Sequence, residues 1–360
     1  MQMNRARIRR GLLSAAGLSL LLLAAGAAAQ APEAGRGSNI RERKPVVGPV
    51  FRFQSGFWLN LHHFLYQQAR LRSERPVTRT GTGAAPKGSA SLPKDSTLAA
   101  ATDALTPEEL RAWNQALDYY AATLARRDLL FDNTMVLMKN RLAEMGAAPD
   151  LSTSGLRKGV VEAMEAAAPV YRVHWWAQHD RANREWVAKL EPLLEKLGTR
   201  LAQELSSVYQ ADWPEGPVVV DVSVYAGRVA GYTSLDPVHV TIASVDPRNQ
   251  EEAALEILFH EASHGLARAV AEGIARECRL RNKPIPRDLW HAVLFYTTGE
   301  VVRRTLSAQR DTEYMPYAYR HGLYDRGWQN FQSLLERHWQ LYLDGKIDFD
   351  HAIARMANAL

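Results

Sequence analysis

The chain has 360 residues and is 46% hydrophobic, enough for one large or two ordinary domains with a real core. Its 44 basic and 39 acidic residues give a formal charge of +5; Arg5, Arg7, Arg9 and Arg10 account for four of the bases, so beyond residue 29 the balance is 40 against 39, or +1. That balance removes charge as an argument for a nucleic-acid partner, and the single cysteine, Cys278, excludes an internal disulfide and a cysteine-rich metal site.

Residues 1–29 have the layout of a signal peptide: four arginines, the apolar run Leu12 to Ala25, then Ala27-Ala28-Ala29 before Gln30. The expectation is export to the periplasm or medium, with no stable membrane span once the signal is cleaved. Residues 30–75 form an N-terminal segment whose aromatic stretch Phe57 to Tyr66 predicts a helix. His62 and His63 are adjacent there, so they face different directions, and a buried or capping role is expected for them. Residues 76–104, rich in Gly, Ala, Ser, Thr, Pro and Lys, read as a flexible linker or loop.

Residues 105–216 read as a helical region. Thr106-Pro107-Glu108-Glu109 supplies an N-cap, a proline at the first helical position and acids in the first turn, and helices are expected over much of 107–145 and 155–210. The polar and aromatic cluster His174 to Asp180 is read as helix packing, with Asp180 as a cap. From 217 the period changes. Residues 218–225 and 239–244 alternate as strands do, with turn residues between Gly227 and Pro237, so a small antiparallel β-sheet is expected.

The most informative stretch follows, His260-Glu261-Ala262-Ser263-His264, inside a run with helical spacing. Histidines four apart share a helix face and can reach one metal, and the glutamate between them can take a proton from an attacking water. A third ligand is needed. His291 and Glu300 lie on the next predicted helix, nine residues and therefore about 900° apart, on opposite faces. If the first helix continues to Asn282, before Lys283-Pro284-Ile285-Pro286, it runs about 27 Å past His264. An antiparallel return then brings Glu300, about 21 Å beyond Pro286, back to the level of the metal; His291, about 8 Å beyond it, falls short. Gly299 would allow close approach. The expected ligands are His260, His264 and Glu300, with His291 as a polar residue at a helix start.

After Glu300 the segment Tyr314 to Tyr324 is dense in phenols, and Tyr317, Tyr319 and His321 are candidates for steadying an oxyanion; Tyr317 and His321 join Glu261 as the expected catalytic set. Residues 327–360 read as C-terminal helix with Trp328, Phe331, Leu335 and Trp339 as a core stripe.

His260-Glu261-x-x-His264 followed by Glu300 on a later helix resembles the gluzincin metallopeptidases, the thermolysin-like and aminopeptidase-like group. The resemblance spans about residues 217–325. It implies a zincin-like helix core, zinc on His260, His264 and Glu300, water activation by Glu261, and a peptide or protein substrate laid along an edge strand. The chain departs from the group at position 304, where arginine replaces the acid often found one turn after the glutamate ligand; Glu256, one turn before His260, is the available substitute for orienting a histidine. The resulting expectation is a mainly α protein with a small sheet (α+β), acting as an exported zinc-dependent hydrolase, most simply a peptidase. The alternatives are a zincin-like binding protein without catalysis, a cell-wall amidase, and a di-metal carboxylate protein. Glu261-Ala-Ser-His264 would be one half-site of the last, and no second half-site is evident.

Overall fold

Four short strands form one sheet with a helical layer on each face in the computed structural model, which describes residues 44–74, 102–308 and 313–360. The predicted signal peptide and nearly all of the 76–104 linker lie outside the described residues. The strands are β1 (Phe51–Gln54), β2 (Val218–Ser223), β3 (Gly231–Ser234) and β4 (His239–Ala243), in the order β1-β2-β4-β3. β1 and β4 both run parallel to β2, and only β3 is antiparallel to its neighbour β4. The fold is therefore mainly helical with a small sheet, as expected, but the sheet is mixed rather than antiparallel. Alternation in a sequence fixes which face a side chain takes, not strand direction. β2 and β4 lie side by side and parallel because the turn-rich segment between them contains β3, which carries the chain past β4 and back.

The register sorts the sheet into two faces. Val218, Val220 and Val222 of β2 share a face with Val240 and Ile242 of β4, all buried in one core. On the other face Gln54, Asp221, Thr241 and Tyr232 stand in a row across all four strands. That face is covered by α1 (Phe57–Glu74) and the helices after it: α2 (Pro107–Thr123), α3 (Asn133–Met145) and α4 (Lys158–Tyr171). The start of α2 is as read: Thr106 and Glu109 make a reciprocal capping box, with Pro107 in the first turn. His62 and His63 are both buried, as expected. Asp180 does not end a helix. A π-helical segment, Arg172–Trp176, joins α4 to the 33-residue α5 (Ala177–Tyr209), and Asp180 pairs with Arg184 inside its first turns.

The valine face packs on α5, α6 (Glu251–Ser263) and α8 (Leu289–Ser307). Every residue of α6 from Ala253 to Ser263 is buried, the pattern of a central helix rather than an amphipathic one. The expected continuation to Asn282 fails. α6 ends with His264 as its cap, and a separate helix, α7 (Arg268–Leu280), begins three residues after Gly265. A Cβ at Gly265 would lie 2.6 Å from the Val238 side chain, so this helix end can meet the β3–β4 turn only through glycine. The C-terminal region is likewise broken, into α9 (Tyr317–Arg320), α10 (Leu323–Gly327), α11 (Gln329–Leu334), a π-helical turn at Leu335–Trp339, α12 (Gln340–Leu343) and α13 (Phe349–Ala359). Leu335 and Trp339 are core residues, whereas Trp328 and Phe331 are only partly buried.

Candidate metal centre

The break after His264 decides which residues meet. Because α6 stops there, α8 does not have to climb back along a long helix. His291, in its first turn, arrives directly at the end of α6. Nε2 of His260 lies 3.3 Å from Nε2 of His291, and His260, His264 and His291 each offer a ligand atom within 4.8 Å of the others. Glu300 is elsewhere. Its carboxylate accepts bonds of 2.7 Å from Arg303 and Arg304, which outweigh the effect of burial and hold it below the usual carboxylate range. The long helix that would bring Glu300 to the metal does not form, and the structure brings His291, not Glu300, to the pair. Gly299 does permit close approach, but to Glu256 and Pro316: a Cβ there would fall 2.9 Å from the Glu256 carboxyl and 2.8 Å from the proline ring.

The donor set fits a metal. Burial pushes all three imidazoles down, with His264 and His291 adding to the effect at His260, so each ring is neutral near pH 7 and carries a lone pair. Two neutral rings 3.3 Å apart can satisfy one another only if one donates, whereas a tetrahedral ion with bonds of 2.0–2.1 Å would separate its ligand nitrogens by about 3.3 Å. Nδ1 of His260 is buried without a hydrogen-bond partner. Aromatic rings fix the imidazoles. Phe295 stacks on His260 at 3.6 Å, and Trp290 stacks on His291 at 5.1 Å and meets His264 edge-on. His264 keeps 18% of its side-chain surface exposed, so the cluster is open on that side.

Glu261 lies beside this set. Its Oε2 is 3.9 Å from Nε2 of His264 and accepts a 2.7 Å bond from the hydroxyl of Thr233 on β3. Burial pushes its carboxyl up to about 7, against the lowering effect of that bond. Glu256 does not orient His260 by any hydrogen bond. Its Oε2 accepts from the Tyr314 hydroxyl and the Tyr317 amide, and its Oε1 has no hydrogen-bond partner among the described residues. It thus anchors the segment after α8 over the site. Tyr317 lies parallel to Phe295, with His321 4.4 Å beyond it, so two of the three expected oxyanion candidates, Tyr317 and His321, reach the aromatic wall of the cluster. Tyr319 turns away, donating to Glu336. Thr233 and Phe295 carried no sequence signal, because one acts from a strand read as turn and the other from an apolar helix position. No family model, curated protein or solved structure matches this chain.

Proposed function

We propose that this protein is an exported metal-dependent hydrolase, with His260, His264 and His291 as metal ligands and Glu261 as general base. The observation that carries the reading is the convergence of three neutral imidazoles beside a buried carboxyl group whose affinity for protons lies near neutrality. Three imidazoles suit zinc among the common divalent ions. Bound there, zinc would acidify a water and polarise a carbonyl oxygen. Glu261 then takes the proton of the attacking water and passes it to the leaving nitrogen, a role for which a carboxyl poised near pH 7 is suited. Tyr317 and His321 flank the aromatic wall and can donate to a developing oxyanion; burial pushes the Tyr317 phenol up, so it keeps its proton. The α6–β3 arrangement, with an edge strand beside the helix, favours an extended peptide as substrate over a compact one.

The test pairs metal content with cleavage. Zinc is measured in the parent, His291→Ala and Glu300→Ala proteins, and a quenched-fluorescent peptide mixture is offered to the parent and Glu261→Gln. The expected result is about one zinc per chain, lost with His291→Ala and kept with Glu300→Ala, and cleavage that disappears in Glu261→Gln while zinc stays. Full cleavage by Glu261→Gln would sink the mechanism. Zinc without cleavage of peptides or cell-wall amides would leave a metal-containing binding protein.

A further inference from the structure

Thr233 sits on the edge strand β3, buried, and its hydroxyl is near two oxygens of one residue. It lies 2.7 Å from Oε2 of Glu261 and 2.8 Å from the main-chain oxygen of Glu261. A hydroxyl has one proton to donate and two lone pairs to accept with. The main-chain oxygen already has the amide of His264 as a donor at 3.2 Å. The Thr233 proton is therefore free to turn. Toward Oε2 it serves the carboxylate. Losing that donor would leave Oε2 a buried acceptor without it, at a cost on the order of 1–3 kcal/mol.

β3 also fixes where the carboxyl group lies. A Cβ at Gly231 would stand 3.4 Å from Oε1 of Glu261, so the strand backbone packs directly under the second oxygen. On the opposite face the two neighbours of Thr233 are fastened: the Tyr232 hydroxyl lies 2.9 Å from Nε2 of His63, and the Lys139 ammonium donates 2.8 Å to the Ser234 hydroxyl. The strand is thus pinned from behind at the residues before and after the one that touches Glu261.

We propose that Thr233 is the positioning residue for Glu261, holding its carboxyl group beside His264. The proposal rests on the metal-hydrolase reading above for its catalytic consequence, but not for its geometry.

Crystal structures of metal-free Thr233→Val and Thr233→Ser test the geometry, and turnover of the peptide cleaved by the parent tests the consequence. In Thr233→Val the Glu261 carboxyl should shift by roughly 1 Å or more and kcat should fall roughly 10- to 100-fold with KM nearly unchanged. Thr233→Ser, which keeps the hydroxyl, should restore both the position and most of kcat. If valine prevents folding, Thr233→Ala reads the same quantities. An unmoved carboxyl in the hydroxyl-free variant, or a kcat equal to the parent's while Glu261→Gln is dead, overturns the proposal alone. A parent that binds no zinc and cleaves nothing overturns the hydrolase reading, and the crystal structures still decide whether Thr233 places Glu261.

Discussion

The sheet separates two buried polar clusters that are built on opposite principles. On the α6 face, three imidazoles bring like atoms together, with the Glu261 carboxyl 3.9 Å from His264. On the α1 face, unlike groups meet. Lys139 donates to Ser234, His63 lies between Ser223 and Tyr232, and Asp221 accepts from Gln54 and stands 2.6 Å from His239. Burial pushes Lys139 down to about 8, and the Asp221 carboxylate works against that fall. The second cluster pairs acid, base and hydroxyl groups across elements, and can be explained by what it holds together, namely α1, α3 and the sheet. On the function proposed above, the first is completed by a cation from outside. What separates the two clusters is therefore not burial of polar groups but the convergence of like groups on one point.

If the α1-face cluster is self-sufficient, breaking it should cost most. Asp221→Ala removes the acid facing His239 and Lys139 and should lower unfolding free energy by about 3–5 kcal/mol in denaturant titrations, with zinc content unchanged. A loss below about 1 kcal/mol would show that this cluster is no more than solvated polar surface. The α6-face cluster should respond instead to ligand. Free zinc at a thousand times its dissociation constant should stabilise the parent by about 4 kcal/mol, and the effect should vanish in His264→Ala. Equal stabilisation in that variant would place the bound ion elsewhere.

Glu256 tests the border between the two behaviours, because one of its oxygens is paired and the other is not. Burial raises its carboxyl from 4.5 to about 7 despite the bonds from Tyr314 and Tyr317. A group raised on folding contributes stability that is present in full below its unfolded value and lost as pH rises through its folded value. The metal-free protein should therefore lose stability between pH 4.5 and 7, and Glu256→Gln should remove roughly 3 kcal/mol of that loss. An unaltered pH slope in the variant would assign the fall to other groups.

Local signals in the sequence carried some of this and not the rest. The capping box at Thr106, the helices on either side of 150 and the strands at 218 and 239 were legible because each depends on a few neighbouring residues. His260, Glu261 and His264 were legible for the same reason. Strand direction was not, since it depends on where β3 turns. The choice of third histidine was not, because it depends on α6 ending at His264, where Gly265 meets Val238 of the β3–β4 turn. A lone glycine after a histidine reads as a tolerated helix residue until the neighbour that forbids a side chain is known. Thr233 was hidden in the same way: its partner is on a helix reached only through the fold.

Glu300 gives the finest discrimination. It was the carboxylate that helix length selected, and it now lies in a fork of two arginines on its own helix, Arg303 three and Arg304 four residues on. Arg304 continues the chain of charges to Asp344, and both guanidinium groups keep more than a third of their side-chain surface in water. The guanidinium groups are screened by water but the Glu300 side chain is only 12% exposed, so Glu300→Ala should cost about 1–2 kcal/mol and leave zinc binding and the zinc-dependent stabilisation as in the parent. Loss of zinc with Glu300→Ala would mean that α8 rotates when the ion enters, exchanging the arginine fork for the metal. The histidine cluster would then be the resting arrangement of a site whose working ligand is the carboxylate. Retention of zinc makes the fork a surface tie between α8 and the C-terminal helices, and assigns the third ligand to the histidine in the helix's first turn.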